Sequence, residues 1–177
     1  MALRSKPKKL DENGLWSYAL RTLGHRAHSA NELKQKLARR ARSPEDLTAT
    51  LAKLREYGFT DDRTFSEAFA AGRLQNQKFG RSRVLRELQS KRVAPAVAER
   101  AVEKAFSGVD EQDLIEQFLA RKFRGKSLPE FLAQEKNLAA TYRRLRAAGF
   151  SSSRVFSVLK QYTSKAQDWS EVAEEDQ

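Results

Sequence analysis

An internal repeat is the feature of this sequence that most limits how it can fold. A shift of 51 residues pairs Leu37 with Leu88, and a second shift of 57 residues pairs Leu88 with Leu145. The same two shifts align further apolar and proline positions: Leu33 with Val84, Pro44 with Pro95, Leu51 with Val102, and Val102 with Leu159. The chain therefore contains three copies of one unit.

Each copy is predicted to comprise three helices. A further segment with apolar residues at helical spacing precedes each aligned stretch: LWSYALRTL, RTFSEAFAAGRL and DLIEQFLARKF. A unit of about 50 residues is near the lower limit of independent stability, so neighbouring copies gain by burying a continuous core. We therefore expect an all-α protein of three tandem three-helix, helix-turn-helix-like repeats, stacked into an elongated, curved rod.

Signals at the segment ends indicate where the helices begin and end. Ser29 is followed three residues later by Glu32, and Ser43 by Asp46, which is the spacing of a helix N-cap. Ser127 begins a similar pattern inside an insertion in the third copy, roughly 126–136. Five glycines suit the residue that follows a helix: Gly58, Gly80, Gly108, Gly125 and Gly149.

These signals divide the chain into five predicted segments. They are a basic disordered tail at 1–13, repeats at 14–59, 60–108 and 109–165, and an acidic disordered tail at 166–177. Both tails are charged and lack periodic apolar residues, so they cannot bury enough surface to fold.

The charge of the chain favours a polyanionic partner. Lysine and arginine number 34 against 23 aspartates and glutamates, and five of those acids fall in the last ten residues. Such a surplus of positive charge attracts nucleic acid or an acidic protein surface. The sequence has no cysteine, no secretory signal and no apolar span, so we expect a cytoplasmic protein without a membrane partner.

The acidic and histidine residues do not form a predicted catalytic or metal site. Asp61 and Asp62 stand at the expected start of a helix, where carboxylates cap free N–H groups, so we interpret them as structural caps. His25 and His28 lack further ligands that would complete a zinc site. There is no nucleophile elbow or phosphate-binding loop, and we expect neither an enzyme, nor a cofactor, nor a small-molecule substrate.

Basic side chains on the outer faces of the predicted helices are the candidate binding residues. They can pair with phosphates or with carboxylates of a partner and form a stripe along the stacked repeats. The candidates are Arg73, Lys78, Arg81, Arg83, Arg86, Lys91, Arg92, Arg121, Lys122, Arg124, Lys126, Arg143, Arg144 and Arg146.

Four stretches of the sequence together resemble the RecX family of bacterial recombination regulators. They are ALRTLGHRAHSANELKQKL, LREYGFTDDRTFSEAFAAGR, FGRSRVLRELQSKRV and RRLRAAGF, and they fall within roughly residues 15–162. The string GF-x-DD-x-x-F followed by G-x-x-x-V-x-x-EL is the most specific part. Where the family usually has a Lys-Gly-Ile-like turn, this chain has Lys91, Arg92 and Val93.

The resemblance implies a non-enzymatic protein that binds the RecA filament on single-stranded DNA. In that role it restrains the recombinase, ATPase and coprotease activities of RecA in DNA repair, recombination and the SOS response. A second hypothesis remains open, namely a stand-alone nucleic-acid-binding module that contacts DNA or RNA through its helix-turn-helix-like pairs.

Overall fold

The computed structural model of the protein describes residues 9–164, and most of them are helical. This range contains ten α-helices, one π-helical turn and no β-strand, so the predicted all-α class is confirmed. The helices are α1 Glu12–His25, α2 Ala30–Ala38, α3 Pro44–Glu56, α4 Asp62–Gly72, α5 Arg81–Ser90, α6 Pro95–Phe106, α7 Glu111–Lys122, α8 Leu128–Leu132, α9 Glu135–Ala147 and α10 Ser152–Tyr162. The π-helical turn, Arg73–Gln77, follows α4 directly. Of the helices in the described range, none is long and apolar enough to cross a membrane.

The described residues fall into two compact units. The first contains the residues up to Ala68 together with Leu88–Ala98. Its core lies where α1 packs against α2 and α3, and side chains such as Leu15, Leu33 and Leu54 are completely buried there. The three helices of the first predicted repeat therefore share one hydrophobic core.

The second unit contains Phe69–Glu87 and the described residues from Glu99 onward. Its core is built mainly from α7, α9 and α10, with α7 packed against α10. Ile115, Leu145 and Leu159 are almost fully buried in it, and the ring of Phe118 packs edge-on against the ring of Phe150.

Most of the leucines and valines that define the sequence repeat are core residues, whereas Leu51 is half-buried and Pro44 and Pro95 are exposed. Leu37, Leu88 and Leu145 are all 0% exposed. Val102 and Leu159, which are aligned with each other and lie in the following helices, α6 and α10, are each 1% exposed. The aligned residues Leu37, Leu88, Val102, Leu145 and Leu159 thus share burial as well as spacing. The predicted boundaries of the three repeats stay a prediction.

Residues 9–13, which the sequence analysis assigned to a disordered N-terminal tail, are ordered in the structure. The N–H of Leu10 donates to the carbonyl of Arg40, and the N–H of Arg42 donates to the carbonyl of Leu10, at 2.7 and 2.8 Å. Leu10 and Ala41 thus form an isolated parallel bridge, and α1 begins at Glu12. The prediction of disorder is therefore wrong for residues 9–13. Residues 1–8 and 166–177 lie outside the described residues.

The prediction that Gly80 follows a helix end is wrong. The other four glycines named above have positive φ, as a residue after a helix requires: Gly58, Gly108, Gly125 and Gly149. Gly80 instead precedes α5, and its N–H donates to the carbonyl of Ala148 at 2.9 Å. A Cβ at position 80 would overlap the carbonyl group of Gly149, so glycine is needed there for close approach of two backbones.

Candidate functional site

The two adjacent carboxylates at the start of α4 bind backbone groups of different helices. Asp61 accepts hydrogen bonds from the N–H groups of Arg63 and Thr64 at 2.9 and 3.2 Å, so it caps α4 itself. Asp62 accepts from the N–H of Ala30 at 2.8 Å, at the start of α2. The hydroxyl and N–H of Thr64 hold the pKa of Asp61 below its ordinary value, which keeps this cap ionised.

Ser29 and Ser43 occupy N-cap positions. The hydroxyl of Ser29 accepts from the N–H of Glu32 at 3.1 Å, and the Glu32 carboxylate accepts from the N–H of Ser29 at 3.4 Å. This reciprocal pair is a capping box. The hydroxyl of Ser43 accepts from the N–H of Asp46 at 3.2 Å. Ser127 precedes α8, but its side chain makes no capping hydrogen bond.

The histidines are not part of a metal site among the described residues. His25 is exposed at the end of α1, whereas His28 is buried and its Nδ1 lies 3.7 Å from a carboxylate oxygen of Glu32. Burial lowers the pKa of His28, and the positive charge of Arg26 lowers it further. In the described range no three histidine or acidic residues are grouped to hold a metal ion. His28 therefore packs as a core residue.

Several of the candidate basic residues are paired within the protein. Glu87 forms ion pairs with Arg73 at 2.6 Å and with Arg83 at 3.0 Å, and Arg81 pairs with Glu103. The sequence-based expectation that all bases of α5 point outward is therefore only partly met, because Arg83 is half-buried. Glu87 was not foreseen as the residue that holds two of these guanidinium groups.

Lys91 and Arg92 belong to the first unit and meet the start of α2. Lys91 pairs with Glu32 at 3.4 Å, while its carbonyl accepts from the hydroxyl of Ser29 at 2.6 Å. The carbonyl of Arg92 accepts from the side-chain amide of Asn31 at 2.9 Å. Burial by itself raises the pKa of Glu32, but the hydrogen bond from Arg26 and the charge of Lys91 hold it below its ordinary value. These bases stabilise the fold.

Four candidate bases from three separate stretches of sequence line one cavity in the second unit. The cavity has a volume of about 560 Å³ and is lined on its basic side by Arg83, Arg121, Lys122 and Arg144. We call it the basic cavity. Its remaining walls are apolar or amide groups, including Phe79, Phe118 and Gln77, and no carboxylate is among its described lining residues.

Contacts with rings and carbonyls hold the arginines of the basic cavity in place. The guanidinium carbon of Arg83 lies 3.7 Å from the ring centre of Phe79, and that of Arg144 lies 5.8 Å from the ring centre of Phe123. Arg121 donates to the carbonyl of Asn76 in the π-helical turn. Stacking and carbonyl contacts orient a guanidinium without neutralising its charge; Arg83 is also paired with Glu87, whereas Arg121, Lys122 and Arg144 have no ion pair with a described carboxylate.

The remaining candidates lie outside the cavity lining. Lys126 lies over the ring of Phe131 at 4.9 Å, and Arg146 donates to the carbonyl of Phe150 at 2.6 Å. Lys78 ends the π-helical turn with a positive φ of 56°. Three others are exposed and have no ion pair with any described residue: Arg86, Arg124 and Arg143. The structure therefore assembles four of the fourteen candidates into one concave site.

Two features of this site were missed by sequence reasoning. The π-helical turn at Arg73–Gln77 carries no recognisable sequence signal, although such turns are frequent at functional sites. Gln77 lines the cavity, and its side-chain oxygen is buried without a hydrogen-bond partner among the described residues.

Comparison with known families gives two matches in this chain. Residues 16–54 match the first three-helix domain of RecX, and residues 61–102 match the second three-helix domain of RecX. Both ranges fall inside the first two predicted repeats.

Individual relatives extend the similarity beyond these domains. The regulatory protein RecX of Chlorobaculum tepidum is 29% identical over 143 residues, which span 81% of this chain and 84% of that protein. The regulatory protein RecX of Halorhodospira halophila is 38% identical over 87 residues, which span 49% of this chain and 53% of that protein.

Solved structures show the same fold. The crystal structure of RecX from Lactobacillus salivarius covers 86% of this chain and 96% of its own, with a TM-score of 0.61 and 16% identity. A second crystal structure of a regulatory protein RecX covers 85% of this chain and 73% of its own, with a TM-score of 0.65 and 19% identity. On the two domain matches, the relatives and the shared fold, this chain belongs to the RecX family.

Proposed function

We propose that this protein is a non-enzymatic regulator that binds the RecA filament on single-stranded DNA. Bound there, it restrains the recombinase, ATPase and coprotease activities of RecA in DNA repair, recombination and the SOS response. Membership of the RecX family, whose first two three-helix domains both match this chain, carries the proposal. The site of action is then the cytoplasm, as the sequence suggested.

The charge of the second unit supports a partner that contains nucleic acid. The basic cavity brings four cationic side chains together with no lining carboxylate. Such a site attracts phosphate groups, and the attraction is stronger and reaches further at low salt. Capped helices alone would not give this attraction, because their exposed faces carry both signs of charge.

A retention assay tests the proposal directly. The protein is immobilised and exposed to RecA alone, to single-stranded DNA alone, and to RecA filaments assembled on that DNA with a slowly hydrolysed ATP analogue. We expect filaments to be retained far more strongly than either component. Failure to retain filaments under conditions in which RecA coats the DNA would contradict the proposal.

A stand-alone nucleic-acid-binding module is the second candidate, and the basic cavity is the observation that favours it. The salt dependence separates the two. Contacts with phosphates of a single strand give an affinity that falls with log[salt] at a slope of about −0.7 per contact. Equal affinity and an equally steep slope on naked DNA and on filaments would favour the second candidate, whereas a specific protein interface responds less steeply.

Charge reversal at Arg81 and Arg83 is a poor test of either candidate. Glutamate at position 83 would face Glu87, and glutamate at position 81 would face Glu103, so like charges would meet inside the second unit. Reversal of Arg86 to glutamate, at an exposed position of the same helix, avoids this problem.

A further inference from the structure

We infer that the basic cavity binds one nucleotide of a single strand, with the phosphate on its cationic side and the unpaired base on its apolar side. This inference rests on the proposed function and deepens it, because it names the group of the filament that the second unit contacts. The basis is the combination of charge, ring surface and one buried acceptor in a single cavity.

The cationic side suits a phosphate. Arg121, Lys122 and Arg144 reach the cavity from the end of α7 and from α9, and none of them is paired with a described carboxylate. Arg121 is fixed by the Asn76 carbonyl, so part of its donor fork is oriented before a ligand arrives. Oriented guanidinium groups bind phosphate oxygens through paired hydrogen bonds, while lysine acts as a point charge.

The opposite side suits the flat face of a base. Phe79 lines the cavity with the guanidinium of Arg83 stacked on its ring at 3.7 Å, so the flat surface available to a base is this arginine–phenylalanine stack, with Ala147 beside it. Base–aromatic stacking is the usual way in which proteins hold single-stranded bases without reading their sequence. A bare phosphate or a carboxylate would leave this apolar wall without a contact. The cavity volume of about 560 Å³ is within the range of roughly 300–1,000 Å³ that small-molecule sites have.

Gln77 adds a second, independent indication. Its side-chain oxygen is buried and has no hydrogen-bond partner in the described part of the chain. Buried acceptors are normally satisfied, and rotation of the Gln77 amide toward the cavity that it lines would let an N–H group of a ligand supply the missing donor. Phosphates and carboxylates in their ionised forms offer no donor, whereas the bases carry amino or imino N–H groups. The three features together therefore point to a nucleotide and not to a simple anion.

A strand is a better occupant than a free nucleotide, because further exposed basic residues lie next to the cavity residues in the sequence. Arg124 lies two residues after Lys122, and Arg143 directly precedes Arg144. These exposed side chains offer contacts to neighbouring phosphates of a continuing backbone. A free nucleoside phosphate would use only the cavity.

The test uses the full chain without RecA and measures binding of a short single-stranded oligonucleotide by fluorescence anisotropy. The cavity variant carries Lys122→Ala and Arg144→Ala. The control variant carries Arg154→Ala and Lys160→Ala, which remove the same charge from exposed positions of α10 outside the cavity lining. Loss of two charge-assisted hydrogen bonds should weaken binding about tenfold or more in the cavity variant, and the control should change much less.

Three further ligands separate the possible occupants. An oligonucleotide with abasic residues should bind the wild-type protein several-fold more weakly than the normal strand. Duplex DNA of the same length should also bind more weakly, because its bases are stacked and paired. Free nucleoside monophosphate should compete poorly, and efficient competition by it would keep the nucleotide site but assign it to a free ligand.

Any of three results would contradict the inference. These outcomes are no binding by the wild-type protein, equal losses in the cavity and control variants, or equal binding of normal and abasic strands. Circular dichroism checks that both variants fold, and Lys122→Ala alone replaces the double variant if the latter unfolds, because Lys122 is exposed. Filament retention by the wild-type protein is measured separately. Failure of the oligonucleotide assay therefore does not contradict the proposed function, and failure of the retention assay does not contradict a nucleotide site in the cavity.

Discussion

The carboxylate of Asp62 accepts a hydrogen bond from the backbone N–H of Ala30 at 2.8 Å and thereby joins the start of α4 to the start of α2. Two other carboxylates make the same kind of connection. Asp46, in the first turn of α3, accepts from the N–H of Glu12 at 3.1 Å, and Glu111 accepts from the N–H of Ser151 at 2.7 Å. Acids in the first turn of one helix thus cap the start of another, in both units.

Removal of the Asp62 carboxylate should destabilise the protein, because we interpret Asp62 as a structural cap and not as a catalytic residue. We expect Asp62→Ala to lower the free energy of unfolding by about 0.5–2 kcal/mol, the usual cost of losing a cap. Asp62→Asn should lose much less, because its amide oxygen can still accept from Ala30. Urea denaturation measures both. Full stability of Asp62→Ala would show that this connection does not support the fold.

The stability of the protein should fall as the pH drops below about 6.5, where an unperturbed histidine becomes protonated. Burial lowers the pKa of His28, so the folded state binds fewer protons there than the unfolded state does. Arg26, Lys36 and Lys91 also disfavour the charged ring, and only Glu32 favours it. Stability from this residue is complete above that pH and is lost as the pH falls through the lowered pKa.

The variant His28→Gln supplies the comparison for this effect, since glutamine does not titrate. Unfolding midpoints in urea are measured between pH 8 and pH 5.5, above the range where most carboxylates titrate. We expect a smaller pH dependence in the variant than in the wild-type protein. The same slope in both proteins would contradict the assignment to His28.

Arg92 holds a backbone conformation that glycine adopts more easily. Its φ is +59°, in the left-handed region. The comparison of Arg92→Gly with Arg92→Ala isolates the backbone effect, because both variants lose the guanidinium group. We expect the glycine variant to be more stable by about 1 kcal/mol in urea denaturation. Equal stability of the two would rule out strain at this turn.

Close approach of Gly80 to Gly149 should make position 80 intolerant of a side chain. A Cβ there would overlap the Gly149 carbonyl, and overpacking of this kind costs about 1–3 kcal/mol. We expect Gly80→Ala to lower the midpoint of thermal unfolding. Gly24→Ala is the matched control, because a Cβ at that position of α1 meets no atom within 4 Å. If both variants unfolded at the wild-type temperature, the backbone contact would be looser than described.

The sequence was sufficient for the features that depend on local patterns. Periodic leucines such as Leu37 and Leu145 predicted buried helix faces, because a helix in a small bundle must cover one side. Ser29 and Ser43 stand at N-cap positions because capping depends on residues three apart. Asp61 and Asp62 were likewise interpreted as caps and not as a catalytic pair.

The features that depend on distant contacts were not predictable from one sequence. Nothing near Asp62 indicates that it binds Ala30, which is 32 residues away. Similarly, the ion pair of Arg73 with Glu87 and the meeting of Arg121 with Arg144 at one cavity follow from packing in the second unit. Gly80 was interpreted as a helix end because its backbone partner, Gly149, lies far along the chain.

The DNA-dependent ATPase activity of RecA gives the most direct test of the proposed regulation. RecA is first assembled on single-stranded DNA with ATP, and this protein is then added in increasing amounts while ATP hydrolysis is followed. We predict that hydrolysis falls as the protein is added, and falls less when Lys122→Ala with Arg144→Ala replaces the wild-type chain. An ATPase rate that stays unchanged at saturating wild-type protein would contradict the account.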